Sequence, residues 1–324
     1  MRVRSAEPPV LVVTRLDDAT ADVVIGELNR REVPVVRLDP GDFPYDVSLG
    51  ARLDGAGLHG SAGTPTRAVD LAGVRSVYWR RPRPYAGPTG LEEQSAHWCA
   101  DQARYGLGGV LATLPGAHYV NHPWRNRDAE YKPAQLAQAA RCGLDVPDTL
   151  VTNEPGEAQE FAAAQGRVVY KPLWNSDFRS PGGHGLTVWV DEVTAPGDGV
   201  RHTAHLFQRY IRKAADVRVT AVGDEVFAIR IDGSPGPDWR RHYDALSYTA
   251  VEVPAGVVEG VHGYLDAFGL VFGAFDFGLD SDGRWWFFEC NPNGQWAWFP
   301  DVVSTPIATA LADQLEYGRK GGAA

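Results

Sequence analysis

Cysteine is scarce: Cys99, Cys142 and Cys290 are the only three among 324 residues, with no CxxC pair. That excludes a disulfide framework or a zinc site as the organising principle. Long apolar runs are missing too; none reaches the roughly 18 residues of a membrane span. The segment Met1 to Pro9 is short and polar, without a signal peptide's apolar stretch. Positive charge is in deficit, with 31 Lys and Arg against 41 Asp and Glu and a net charge of −10. Such a chain is a poor general binder of nucleic acid or of an acidic membrane surface, and must build local basic pockets to handle anions. What is present is ordinary core material, 44% hydrophobic and 10% aromatic. At roughly 150 residues per domain the length predicts two domains or three small lobes. These features imply a cytoplasmic globular protein.

The first 45 residues read as strand, helix, strand. Pro9 to Thr14 is an apolar run, Asp17 and Asp18 can cap a helix carrying Val23, Val24, Ile25 and Leu28, and Pro34 to Leu38 forms a second strand. Such a unit feeds a parallel sheet. Asp39 stands where a dinucleotide fold would place its ribose acid, but the turn Thr14-Arg15-Leu16-Asp17-Asp18 lacks the glycine fingerprint, which excludes that reading. Residues 46–60 predict a loose hairpin, Val74 to Trp79 a strand, and Glu92 to Leu114 a helix. One helix is expected from Arg127 to Arg141, ended by Cys142-Gly143. Further on, strands are expected at Thr149 to Thr152, Arg167 to Pro172, Leu186 to Val190, 205–211, 216–222, 225–232, Val271 to Leu279 and Trp285 to Asn291. Helices are expected near Pro155 to Ala164, Val257 to Phe268 and Thr305 to Tyr317. The expected organisation is an N-terminal α/β lobe (1–120), a central lobe (121–207) and a C-terminal lobe (208–324).

The strongest chemical signal is the last hairpin. Asp280-Ser281-Asp282-Gly283 is a turn, and Glu289 and Asn291, two apart on the following strand, share a face. Pairing Asp280 with Gly283 puts Asp276 opposite Phe287 and diagonal to Glu289, within roughly 7–8 Å. Three oxygen side chains on strands full of Phe and Trp need neutralising, and magnesium shared with phosphates would do so. The competing reading is an edge hairpin with solvated acids. Lys171 ends an apolar strand and Lys132 opens a helix; each is either snorkelling or aimed at an anion. The loop Ser180-Pro181-Gly182-Gly183-His184-Gly185 can wrap a phosphate but is not a P-loop. Arg218 and Arg230 lie on successive strands, with Arg240 in the loop beyond.

Taken in order, Lys132, Tyr170-Lys171-Pro172, the Gly-rich loop, Gln208-Arg209-Tyr210-Ile211, Asp216-Val217-Arg218, Arg230, Asp238-Trp239-Arg240, Asp276 and Glu289-Cys290-Asn291 resemble ATP-grasp ligases. The layout is similar to the ribosomal-protein glutamate ligases. The ending Phe288-Glu289-Cys290-Asn291-Pro292-Asn293-Gly294-Gln295-Trp296, with Tyr78-Trp79-Arg80-Arg81-Pro82, resembles the graspetide (microviridin-type) macrocyclases more closely.

The resemblance implies an ATP-grasp fold with a Rossmann-like N-terminal lobe, and ATP and magnesium as cofactors. Lys132 and Lys171 would hold phosphates. Gln208, Arg209, Tyr210 and Ile211 would form the adenine hinge, with Lys213 and Asp216 near the ribose. Arg209 stands where the family often has Glu. Arg218, Arg230 and Arg240 would surround the transferred phosphoryl group, and Asp276, Glu289 and Asn291 would ligate the metal. The Trp296, Trp298 and Phe299 cluster would either exclude water or fill a core. The implied partner is a precursor peptide with a leader and a core of Thr/Ser and Glu/Asp, the leader docking away from the chemistry; Arg80, Arg81 and Arg83, beside Tyr78 and Trp79, are one candidate surface for it, a solvated loop being the other reading. No nucleic acid or membrane is expected, and a homodimer is left open. An ATP-grasp ligase adding an amino acid to an acceptor, and an inactive peptide-binding relative, are the alternatives.

Overall fold

The computed structural model describes residues 7–174, 178–179, 185–186, 188–241 and 245–318. Strand β1 (Val10–Val13) is buried on both faces, as a central parallel strand must be. It pairs in parallel with β2 (Val35–Leu38) and β6 (Ser76–Trp79), and β7 (His118–Val120) extends the sheet beyond β6. The intervening helix α1 (Ala19–Arg30) starts where expected, because the Asp18 carboxylate accepts from the Ala21 N–H at 3.2 Å. The loose hairpin is a three-stranded meander, β3 (Ser48–Asp54), β4 (Gly57–Gly63) and β5 (Ala68–Asp70). Helix α2 (Glu93–Leu111) buries Leu107 and Leu111 with Leu11 and Val13 on one side of the parallel sheet. Val10 and Val12, on the other side, join a core shared with α1 and the C-terminal helix.

The helix expected from Arg127 to Arg141 is two helices, α3 (Pro123–Asp128) and α4 (Lys132–Arg141). Pro133 lies in the first turn of α4, where the missing N–H costs nothing and a new helix is favoured. The central sheet follows, built from β8 (Thr149–Thr152), helix α5 (Pro155–Gln165) and β9 (Val168–Lys171). Next come a short pair, β10 (Phe178–Arg179) with β11 (Gly185–Leu186), then β12 (Asp191–Val193) and β13 (His205–Arg209). Its order is β12-β9-β13-β8, antiparallel throughout. The strand expected at Leu186 to Val190 is displaced: Asp191–Val193 makes the ladder with β9, while residues 188–190 leave the sheet and line a cleft. Residues 180–184 of the Gly-rich loop lie outside the described residues.

The C-terminal sheet is five antiparallel strands in the order β16-β15-β14-β17-β18. They are β14 (Lys213–Val222), β15 (Glu225–Asp232), β16 (Ser247–Ala250), β17 (Phe272–Asp280) and β18 (Trp285–Asn291). One face carries Val217, Val219, Phe275, Phe277 and Phe287 and packs on α4 and on α6 (Ala255–Phe268). The other face divides: Ile229, Ile231 and Ala274 pack toward α7 (Asp301–Tyr317) and the N-terminal core, and the remainder is polar.

Candidate active site

The polar half-face is generated by alternation on β14 and β17 and by a bulged β18. Arg218 on β14 lies opposite Asp276 on β17, and Asp276 lies opposite Glu289 on β18. The sequence argument made Asp276 and Glu289 diagonal neighbours; they are direct partners. Two features set this register. The turn pairs Leu279 with Trp285, and a β-bulge between Phe287 and Glu289 then inserts Phe288 as an extra residue. The bulge also has a use. A Cβ on Gly278 would come within 2.6 Å of the Phe288 ring, so the missing side chain leaves room for Phe288 to lie over β17. From there Phe288 floors a slot, with Lys171 Nζ 5.0 Å from its ring centre.

The slot runs between the central and C-terminal sheets and is lined by Val169, Lys171, Gln208 to Ile211, Lys213, Asp216, Asp238 to Arg240, Asp276 and Glu289. Every hinge position expected from sequence lines it. Arg209 and Tyr210 spend their N–H groups on the Asp148 and Arg167 carbonyls. Their side chains are directed elsewhere, the Arg209 guanidinium over Trp286 at 4.8 Å and the Tyr210 ring under Arg167 at 3.9 Å. The Arg209 and Tyr210 side chains are thus held by neighbours on either flank. Gln208, buried, donates to Thr149 Oγ1 at 2.9 Å and accepts from Lys171 Nζ at 3.2 Å.

The charges form a lattice with Arg218 and Asp276 buried and Lys132, Arg240 and Glu289 half-buried. Arg218 donates to Asp276 Oδ1 at 2.7 Å and Arg240 to Asp276 Oδ2 at 2.5 Å. Arg240 also reaches Glu289 at 3.5 Å, and Lys132 Nζ meets the other Glu289 oxygen at 3.1 Å. Burial alone would push Glu289 up, but Lys132, Arg240 and Lys171 together hold it well below the usual carboxylate range. Burial pulls Lys171 down to about 8, against the attraction of Glu289. Burial pushes Asp216 up to about 6, although Lys213 bonds it at 2.5 Å. An excess of cations around two carboxylates is a setting for polyanions.

Asp276, Glu289 and Asn291 supply hard oxygen donors on one sheet face, Asn291 lying opposite Ala274. Among the described residues no group of three His, Cys, Asp or Glu forms a metal cage. Magnesium needs none, since it takes one or two carboxylates and completes its shell with phosphate oxygens and water. The donor set fits such an ion.

Beyond the slot, and sharing Lys171, Val190, Asp238, Arg240 and Glu289 with it, opens a cleft of about 870 Å³. Its far wall comes from the N-terminal lobe, through Trp79 to Pro82. Sequence reasoning placed Arg80, Arg81 and Arg83 on one patch, and the structure separates them. Arg80 is 2% exposed, ion-paired to Asp18 at 3.0 Å and donating to the Gly294 carbonyl at 3.1 Å. Arg83 turns outward to Asp39 and Asp42. Of the three, Arg80 and Arg81 line the cleft, and Arg81 is the one without a carboxylate partner among the described residues. Arg230 also leaves the expected group: it lies opposite Val217, on the other face from Arg218, and pairs with Asp232 of its own strand at 2.8 Å. The Trp296–Phe299 aromatics prove to be core, with Trp298 5.3 Å from Trp239 and neither Trp296 nor Phe299 lining slot or cleft.

Gln135 escaped the sequence reading altogether. From α4 its amide accepts from the Cys290 N–H at 3.0 Å and donates to the Cys290 carbonyl at 2.8 Å. It thereby completes the outer edge of β18 between Glu289 and Asn291. No polar-residue pattern announces this; a glutamine one turn after Lys132 was the only available signal.

Residues 9–127 match the family model for the MvdD pre-ATP grasp domain. No match is found among curated proteins. The fold is shared with macrocyclase MdnC of Microcystis aeruginosa, bound with precursor peptide MdnA, at TM-score 0.83 and 27% identity over 94% of this chain and 98% of that one. Macrocyclase MdnB from the same organism gives 0.79 and 28%, over 95% and 99%. A Chryseobacterium gregarium RiPP-associated ATP-grasp ligase, solved with ADP and a leader and core peptide, gives 0.83 and 22%, over 95% and 96%. The chain has the ATP-grasp fold, entered through a pre-ATP-grasp lobe.

Proposed function

We propose that this ATP-grasp protein is a peptide maturase, which activates Asp or Glu side chains of a ribosomally made precursor and closes ester or amide macrocycles with Ser, Thr or Lys. The observation that carries the reading is the junction of a narrow cation-rimmed slot with a wide cleft at a single carboxylate pair, Asp276 and Glu289. In this reading the nucleotide would enter the first, which must widen to admit it, and a peptide loop the second. The similarity to macrocyclases MdnC and MdnB supports the peptide as substrate.

ATP would lie with adenine against the 208–211 backbone, its ribose near Lys213 and Asp216, and its phosphates toward Lys132 and Lys171. Asp276, Glu289 and Asn291 would hold magnesium, which neutralises phosphate oxygens during transfer. The peptide carboxylate attacks the γ-phosphorus, the bond to the bridging oxygen breaks, and ADP leaves as the acyl phosphate forms. Arg218 and Arg240, already fixed on Asp276, stand ready to take developing negative charge without reorganising. A hydroxyl or amine of the same peptide then adds to the acyl carbon, loses its proton and expels phosphate. Trp79, Trp174 and Trp189 line the cleft and limit the water that would intercept the acyl phosphate.

The partner is thus a peptide with a leader and a core of Thr/Ser and Glu/Asp, met in the cytoplasm, and the natural candidate is one encoded beside this gene. Incubation of that peptide with the protein, ATP and magnesium should lower its mass by one water per link, with one ADP per link. A gain of one residue in mass would instead identify an amino-acid ligase, and no ADP release would identify an inactive relative.

A further inference from the structure

Among the described residues four arginines line the cleft: Arg80, Arg81, Arg127 and Arg240. Three are matched with carboxylates, Arg80 with Asp18, Arg127 with Asp128 and Arg240 with Asp276. Among the described residues Arg81 has no carboxylate within 4.0 Å. Its one side-chain hydrogen bond there runs from Nε to the Asn293 carbonyl at 3.1 Å, which leaves both terminal amino groups unspent. Asp18 cannot serve it, because that carboxylate is taken by Arg80, Thr14 and the Ala21 N–H. Burial lowers its pKa to about 10, and repulsion from Arg80, Arg15 and Arg218 acts the same way against the longer-range attraction of Asp18. A half-buried guanidinium among like charges gains from an arriving anion, and its planar fork suits a carboxylate.

The position says which anion. Among the described residues none before Val169 lines the slot, whereas Arg81 lines the wide cleft, on the wall contributed by the first lobe. Its anchor, the Asn293 carbonyl, follows Asn291 by two residues, and Asn293 N–H in turn donates to Asn291 Oδ1 at 2.9 Å. Arg81 is therefore tied to the end of the strand that carries Glu289.

We infer that Arg81 receives the peptide's reacting Asp or Glu carboxylate and orients it toward the Arg218–Asp276–Glu289 edge, a specificity role that rests on the function proposed above. Two blocked hexapeptides of Thr, Ser and Gly, one containing a single Glu and the other Gln at that position, test it. Each is titrated calorimetrically into the full chain with ADP and magnesium. The parent should bind the Glu peptide at least about tenfold more tightly than the Gln peptide. Arg81→Gln should reduce that preference to about twofold or less, Arg81→Lys should retain part of it, and ADP affinity should be unchanged in both. A parent without preference, or a preference that survives in Arg81→Gln, overturns the assignment. So does a loss of ADP affinity beyond about fivefold, which would assign Arg81 to the phosphates. Hydroxamate formation from the Glu peptide, ATP and hydroxylamine reports activation separately. Its absence in the parent would overturn the macrocyclase reading, while the titration still decides Arg81.

Discussion

The two faces of the C-terminal sheet are made from the same strands, residue by residue, yet they obey opposite rules. Val217, Val219, Phe275, Phe277 and Phe287 give one face a dry aromatic and aliphatic core, where burial stabilises and no partner is needed. Asp216, Arg218, Asp276 and Glu289 alternate with them on the other, where burial shifts protonation and each charge depends on a neighbour. The difference teaches that one side of this sheet is wholly core, while the other divides between packing on α7 and a charged half-face kept at a standing cost in stability.

The comparison can be broken from either side. The largest effect is expected on the polar face: Glu289→Gln keeps the volume but removes a charge that Lys132 and Arg240 neutralise, and should reduce ATP-dependent turnover by about 100-fold or more, with the melting curve still cooperative. Full activity at saturating magnesium would sink its metal role. On the apolar face, Phe277→Ala should cost about 3–5 kcal/mol in denaturant titration while the surviving folded fraction binds ADP normally.

Lys171→Met should do the reverse of a core mutation. Its charge is held at a pKa of about 8 in the folded chain against an ordinary 10.5. Between those values the unfolded chain binds more protons, so parental stability should rise as the pH is raised through that window. In Lys171→Met that rise should vanish, stability at pH 7 should increase by about 1–3 kcal/mol, and nucleotide affinity should fall sharply. The smallest effect sharpens the boundary between the faces. Arg230→Ala, on the wrong side of β15, should change turnover by less than about twofold and stability by less than about 0.5 kcal/mol. A large loss of turnover there would return Arg230 to the chemistry.

Arg230 also measures how much was legible. The Gly223-Asp224 turn makes Val222 and Glu225 partners, and counting back pairs Arg230 with Val217 and Arg218 with Ile229. The information was in the chain; treating the two arginines as one group ignored the parity of the hairpin. The second hairpin is different. Its turn pairs Leu279 with Trp285, and continuing that register would have put Glu289 on the opposite face from Asp276; only the bulge at Phe288 restores them to one side. Nothing in Trp285-Trp286-Phe287-Phe288-Glu289 marks which of its aromatics is extra, because the large apolar run hides the alternation. Lys171 could be singled out because a polar residue on an apolar strand stands out, whereas Lys132 and the 208–211 segment are picked out only through the resemblance. The separation of Arg80, Arg81 and Arg83 was not legible, since it depends on Asp18, Asn293 and Asp39, all distant in sequence or in another element.

The amide of Gln135 has one further consequence. By occupying both backbone groups of Cys290 it removes that point of β18 as a docking rail for extended chains, since a strand can be lengthened sideways only where its edge is free. A peptide entering here cannot be recognised at Cys290 through its own backbone in the manner of an added strand. If a peptide docks at this edge, as proposed above, its selection there would fall to side chains rather than to strand pairing.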